Sequence, residues 1–276
     1  MFIHFLLTRF NIIFTRGINK NVCPFDEEWH NHRFILFDKY CFPSVKNQTN
    51  QNFKWLVFFN IDTPDKYRNK IEEYRNAYAN FFPVFTDQPI IPSAPDTINT
   101  FLQKDTTHII TSRLDNDDAI HINYINKIQS CFCKQDFCLV DIKYGYVYRI
   151  EPAKKLAIKR KDNNSFISLI ESIDSFKTVF SKWHNEWAIE KRRIIIKDRL
   201  WLHIVHDKNI FNNMREASWF IFKYDLLKDF SISKADASIK YKDYFNMLKD
   251  NILLVCLKVY RKVIFLYTQH KERGQK

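Results

Sequence analysis

The stretch Thr107–Ala119 reads THIITSRLDNDDA. Its first part, Thr107–Ser112, is a short β-branched apolar run bounded by polar residues, which predicts a buried strand. Arg113 and Leu114 come next, and then Asp115-x-Asp117-Asp118. Carboxylates this close repel one another, and such a cluster persists when a cation or a donor-rich ligand lies between them. Asp115 and Asp117, two apart on an extended tip, direct their oxygens to one side. That suits a hard divalent ion, Mg²⁺ or Mn²⁺, which keeps waters and shares phosphate oxygens with a substrate. The ordinary alternative makes Asp117 or Asp118 the N-cap of a helix beginning at Ile120.

Outward from this tip the first 130 residues alternate strand and helix. His4–Leu7 reads as a buried strand. Trp29–Gln48 reads as helix, with a kink or stop at Pro43. Lys54–Ile61 contains the run Trp55-Leu56-Val57-Phe58-Phe59, apolar on both faces, as a strand covered on both sides must be. Thr63 reads as the N-cap of the next helix, with Pro64 at its first position. Phe82–Phe85 is a further strand, a polar loop runs over Thr86–Asp96, a short helix covers about 97–104, and Ile120–Cys131 reads as helix. The alternation predicts an α/β domain with a central, mostly parallel sheet and helices on both faces. Ligands of such sheets bind at the carboxyl ends of the strands. The tips there are Thr8-Arg9, Asp62-Thr63 and Asp115-Asn116-Asp117.

The remainder reads less regularly. Leu139–Ile142 and Tyr144–Ile150 look like two strands of a hairpin turning near Lys143–Gly145, with Leu156–Lys159 pairing beside them. Phe166–Ser175 reads as a short helix, and 213–229 and 240–267 as helices.

Composition excludes several classes. The 276 residues contain only 3 glycines, with no GxGxxG and no GxxxxGK, so dinucleotide and P-loop readings are absent. The net charge of +12 is uneven: residues 1–141 hold 15 basic and 16 acidic residues, and 142–276 hold 28 and 15. The second half would attract polyanions, whether nucleic acid, anionic lipid or phosphorylated small molecules. Cys23, Cys41, Cys131, Cys133, Cys138 and Cys256 form no CxxC and read as reduced thiols of a cytoplasmic protein. No secretory signal and no transmembrane helix is expected. Asn251–Tyr267 is an apolar helix with a basic ridge of Lys258, Arg261 and Lys262, either packed on the core or lying in the plane of an anionic membrane surface.

Several segments together carry a resemblance. They are Thr8-Arg9-Phe10-Asn11, Pro43-Ser44-Val45-x-x-Gln48-Thr49, Phe53-Lys54-Trp55-Leu56-Val57, Asp62-x-x-Pro64, and Thr111–Ala119. Asn164-Ser165-Phe166 and Trp201-Leu202-x-x-Val205-His206 add to them. Over about residues 4–210 the sequence resembles bacterial glycosyltransferases of the GT-A fold, most closely the rhamnosyltransferase family. The resemblance implies a catalytic domain over 1–212, divided into a nucleotide-sugar half (1–130) and an acceptor half (131–212), with a basic, apolar helical extension at 213–276. It implies a DxD-bound divalent metal on the diphosphate of a nucleotide-sugar donor. Asp117 and Asp115, with His206, would hold the metal. Thr8, Arg9, Asp62, Arg113, Asp115 and Asn116 would line the donor site. The acceptor would be a glycan or a lipid-linked acceptor in surface polysaccharide synthesis, and no nucleic acid is expected.

An inverting transferase also needs a carboxylate that takes the acceptor proton. Glu186 is the first choice and Glu171 the second, against the plainer reading of Glu186 as a helix-start residue. Trp183, Trp187 and Trp201 are either a sugar platform or core. His203, three residues from His206, is a weaker ligand candidate. Asp207 stands where relatives carry a small residue. The competing function is a non-catalytic module that holds nucleic acid or anionic glycan through its basic half.

Overall fold

A computed structural model describes residues 1–12, 26–207, 214 and 219–273, with backbone alone at 258 and 265–273. The strands are β1 (Phe2–Arg9), β2 (Lys54–Asn60), β3 (Phe81–Thr86), β4 (His108–Arg113), β5 (Ala119–Ile120), β6 (Phe137–Arg149), β7 (Lys155–Arg160), β8 (Ser168–Ser172), β9 (Arg193–Val205) and β10 (Trp219–Phe220). The helices are α1 (Glu27–Leu36), α2 (Phe42–Lys46), α3 (Asp65–Ala77), α4 (Ile90–Asn99), α5 (Tyr124–Gln129), α6 (Lys234–Ala237) and α7 (Tyr241–Arg273). A π-helical turn, Phe37–Cys41, joins α1 to α2, so the expected long helix runs on through Pro43, which sits harmlessly at the start of α2.

The sheet order is β10-β7-β6-β8-β4-β1-β2-β3, and β9 pairs with β6 and β5. The strands β4, β1, β2 and β3 are mutually parallel, as the alternating sequence predicts. Their apolar runs fill two cores at once. Leu6, Trp55, Val57 and Phe59 face the side covered by Phe34 and Phe37. Phe5, Leu7, Leu56 and Phe58 face the side covered by Ile90, Ala94 and Ile98 of α4. Beyond β4 the sheet turns antiparallel through β8, β6 and β7, and β9 returns parallel to β6.

Elements in both halves depart from the expectations. Leu139–Arg149 is not a hairpin but part of one strand, β6. Gly145 is not a turn residue: a Cβ there would overlap the indole of Trp201, which lies against it. The expected helix at Phe166–Ser175 is strand β8, wedged between β4 and β6. The helix expected from Ile120 begins only at Tyr124, because Ala119 and Ile120 pair with Leu202 and Trp201 of β9. Thr63 does not cap α3; its hydroxyl donates to the Asn60 carbonyl at 2.6 Å, and Pro64 occupies the cap position. The loop expected at Thr86–Asp96 is largely α4. Within 213–229, β10 and a 3₁₀ turn over Tyr224–Phe230 replace the expected helix. Cys23 lies outside the described residues.

Candidate active site

Two parallel neighbours, β1 and β4, end side by side with Leu7 opposite Arg113. The chain leaving β4 is tied down at once: the Leu114 N–H donates to the Leu7 carbonyl at 3.1 Å. The Asn116 amide donates to the Phe10 carbonyl at 3.0 Å. The Pro43-Ser44-Val45-x-x-Gln48-Thr49 segment grips residues 120–125, just past the acidic tip. Ile120 N–H donates to Ser44 Oγ, Gln48 Nε2 donates to the His121 carbonyl, and Gln48 Oε1 accepts from Ile125 N–H. Asp118 ties the loop to β9, accepting from His203 Nδ1 at 2.8 Å and from Ile204 N–H at 3.0 Å. It is therefore a strut, and neither an N-cap nor a ligand. Burial pushes its carboxyl above the usual range, against the opposing pull of His203.

This loop presents Asp115, Asn116 and Asp117 to three arginines. Arg113 donates from Nη2 and Nε to Asp115 Oδ1 at 3.1 and 3.3 Å. Arg33, from α1, donates to Asp117 Oδ2 at 2.5 Å and to Asn116 Oδ1 at 3.2 Å. His206 Nε2 lies 3.1 Å from the same Asp117 oxygen. Burial alone would raise the Asp117 carboxyl, but Arg33 and His206 more than offset it and hold it well below the usual carboxylate range. Arg9 shares the rim: burial, with Arg113 and Arg33 nearby, pushes its guanidinium down to about 10. Asp115 is the open member, its side chain 29 % exposed against 8 % for Asp117. The site is a compact lattice of alternating charge with one carboxylate facing out.

The donor set fits a divalent cation in part. Two ligand atoms 3.1 Å apart, Asp117 Oδ2 and His206 Nε2, have the spacing that neighbouring ligands of a six-coordinate Mg²⁺ or Mn²⁺ keep, about 3 Å. Among the described residues His32, His206 and Asp207 also converge, with one ligand atom from each lying within 4.8 Å of the others. The Asp207 departure thus falls beside His206, and His32, which edges against the His206 ring at 4.8 Å, escaped the sequence reading. Arg33 escaped it too. Neither carries a motif; both reach the site only because α1 packs over the strand tips.

Other expected residues are placed differently. Thr8 is wholly buried and its hydroxyl accepts the Trp55 indole N–H at 2.9 Å, so its side chain faces the core and not a nucleoside. Asp62 is exposed at the end of β2. Glu171 is structural: its oxygens accept the Lys177 and Thr178 N–H groups and hold Thr178 at φ 70°. Glu186 is exposed and accepts the Trp183 N–H at 2.6 Å, closing a 3₁₀ turn. Trp187 and Trp201 belong to the core; Trp201 stacks on Phe166 at 5.3 Å. His203 and His206 sit at the end of β9 and beyond it, and each takes its own aspartate. His184 is held below its usual pKa by burial and by the Arg113 charge, and its ring Nδ1 lies 2.8 Å from the Asn163 carbonyl.

Among curated proteins none matches this chain. Solved structures with a related chain path include S. aureus TarS 1-349 in complex with UDP, at 10% identity and TM-score 0.43, covering 74% of this chain and 61% of that one. The same protein in complex with UDP-GlcNAc aligns at 9% identity and TM-score 0.41, covering 76% and 60%. The inositol-1-phosphate CTP transferase of T. maritima aligns at 12% identity and TM-score 0.34, covering 90% and 96%. The chain thus spans about three fifths of the TarS structures it resembles. A family profile described as "Putative rhamnosyl transferase" matches residues 5–217, from β1 past the end of β9 and so across every residue of the charged lattice. The chain belongs to the rhamnosyl transferase family of glycosyltransferases.

Proposed function

We propose that this protein transfers a sugar, a deoxyhexose such as rhamnose, from a nucleotide-diphosphate donor to a glycan or lipid-linked acceptor in surface polysaccharide synthesis. The observation that carries the reading is the alternating lattice at the ends of β1 and β4. Arg9 and Arg113 offer guanidiniums to a diphosphate, and the half-open Asp115 can accept hydroxyls of the ribose or sugar. Asp117 and His206 would hold a divalent cation, which would neutralise charge developing on the diphosphate leaving group. Asn116 and Asp118 keep the loop rigid, so these groups are aligned before the donor arrives. Glu186, in the turn that follows Trp183, is the carboxylate proposed to take the acceptor proton. We place the enzyme in the cytoplasm, touching the inner face of the membrane through 251–267.

The test is a melting-temperature panel with UDP, GDP, dTDP and CDP, each with and without Mn²⁺, on the wild type and on Asp115→Asn. A ligand that binds only the folded state raises the melting temperature. One nucleotide should give a shift that grows with Mn²⁺ and falls sharply in the variant. Equal indifference to all four would remove the donor site and favour polyanion binding through the basic half.

A further inference from the structure

We propose that Arg33 occupies, in the donor-free enzyme, the place on Asp117 that a divalent cation needs, and so makes the cation and the donor diphosphate bind together. The inference rests on the reading of Asp117 and His206 as cation ligands. Asp117 Oδ2 is the oxygen nearest His206, and it is the same oxygen that Arg33 Nη1 reaches at 2.5 Å. Both members of the ion pair are mostly buried, at 13 % and 8 % side-chain exposure, so water screens them little. A guanidinium stays protonated throughout the physiological range. A dication arriving on this oxygen would therefore meet a fixed like charge at contact distance, and one of the two must give way.

Where Arg33 can go decides the behaviour. Its remaining acceptor is the neutral Asn116 Oδ1 at 3.2 Å, and its guanidinium lies 5.4 Å from the Trp29 ring centroid. The nearby charged groups on the same rim are Arg9 and Arg113, both repulsive, Asp115, which Arg113 already engages at 3.1 Å, and Asp207, which lies 3.9 Å from His32. Among the described residues, a cation alone must evict a guanidinium with no unengaged anion to move to, since Asp115 faces Arg113 and Asp207 faces His32. A diphosphate supplies that anion, so its binding lowers the cost of the eviction. The coupling is reciprocal: whatever the diphosphate does for the cation, the cation does for the diphosphate. Arg33 is in this scheme a positioning residue, which acts through Asp117.

The experiment is a titration of nucleotide-free protein with Mn²⁺ alone, read by the electron paramagnetic resonance signal of free Mn²⁺. Arg33→Gln should bind Mn²⁺ about tenfold more tightly than the wild type, within the 5- to 150-fold span of ordinary site coupling. Arg33→Met, which keeps the aliphatic stem over Trp29, should show the same gain if the glutamine variant folds poorly. Arg33→Lys, which keeps the charge, should stay near the wild type. Asp117→Asn should abolish the binding in every background. Mn²⁺ affinity unchanged or weaker in both neutral variants, with Asp117→Asn still abolishing it, overturns the gating role and leaves the cation site standing. Binding indifferent to Asp117→Asn, or absent from all proteins, overturns the cation site and the gate together.

Discussion

Replacing Asp117 by Asn removes one charge from a buried pair and leaves the Arg33 guanidinium against a neutral amide. Removing one partner of such a pair costs about 3 kcal/mol at neutral pH, mainly because the other charge stays buried. The pH dependence comes from the direction of the shift. Burial raises the Asp117 carboxyl, Arg33 and His206 more than offset it, and its folded pKa ends below the usual 3.8. A depressed folded pKa gives stability that is present above the unfolded value and lost as pH falls through the folded one. In cation-free denaturation, the gap between the wild type and Asp117→Asn should be full at about pH 6–7 and shrink below about pH 4. A gap that stays constant down to about pH 3 would mean that the pair adds nothing electrostatic. Asp117 and His206 are legible in the sequence because each sits in a recognisable string. Arg33 and His32 are not, since an arginine and a histidine within α1 carry no sign of what the helix packs against. Asp118 misleads for a local reason: an aspartate before an apolar run looks like a cap, but β5 intervenes and no helix starts there.

Among the elements, α2 and the residues after it explain why an apparently featureless string belongs with the acidic loop. Gln48 is 3 % exposed and makes three side-chain hydrogen bonds, to the Ser44 and His121 carbonyls and from Ile125 N–H. Gln48→Ala removes the side-chain partner of the Ser44 carbonyl and of Ile125 N–H, while the His121 carbonyl keeps the Tyr124 N–H, and should cost about 2–3 kcal/mol, since each buried orphan is penalised by about 1–3. Urea denaturation measures it, and a loss under about 1 kcal/mol would show that the grip is dispensable. A similar test applies where β6 crosses β9. Gly145→Ala drives a methyl into the Trp201 ring, and a strand this enclosed should lose about 2 kcal/mol or more in the same assay. These elements also mark the limit of pattern reading. β8 is five residues long and four of them are buried, so neither a period of 2 nor one of 3.6 could show in it. The sequence splits β6 in two because Lys143–Gly145 looks like a turn, whereas the glycine answers a tryptophan 56 positions away. The parallel half is legible where strands such as β2 are apolar on both faces, whereas α4, with Pro92 and Pro95, reads as loop.

For the molecule as a whole, charge and apolar surface are segregated in the same direction. Residues 1–141 are close to neutral, and the basic excess lies in 142–276 together with α7. That helix is fixed to the body near its start, through Met247 and through Asn251, whose side chain pairs with both backbone groups of Phe220. Past this anchor Ile252, Leu253, Val255, Leu257, Val259, Tyr260, Val263 and Ile264 are each at least 40 % exposed. Among the described residues no helix is long and apolar enough to cross a membrane. An exposed helix with this apolar surface and with Lys249, Arg261 and Lys262 beside it suits the headgroup layer of an anionic bilayer, where buried apolar area and charge attraction add. A chain ending at Leu257 keeps the anchor, so its melting temperature should stay within about 2 °C of the full chain, a shift no larger than a fraction of a kcal/mol. The full chain should float with phosphatidylglycerol-containing vesicles and much less with neutral ones, and the shortened chain should float with neither. Equal flotation of the two chains would move the membrane contact off α7 and onto the basic body. Loss of the fold in the shortened chain would show instead that the exposed apolar surface supports the body.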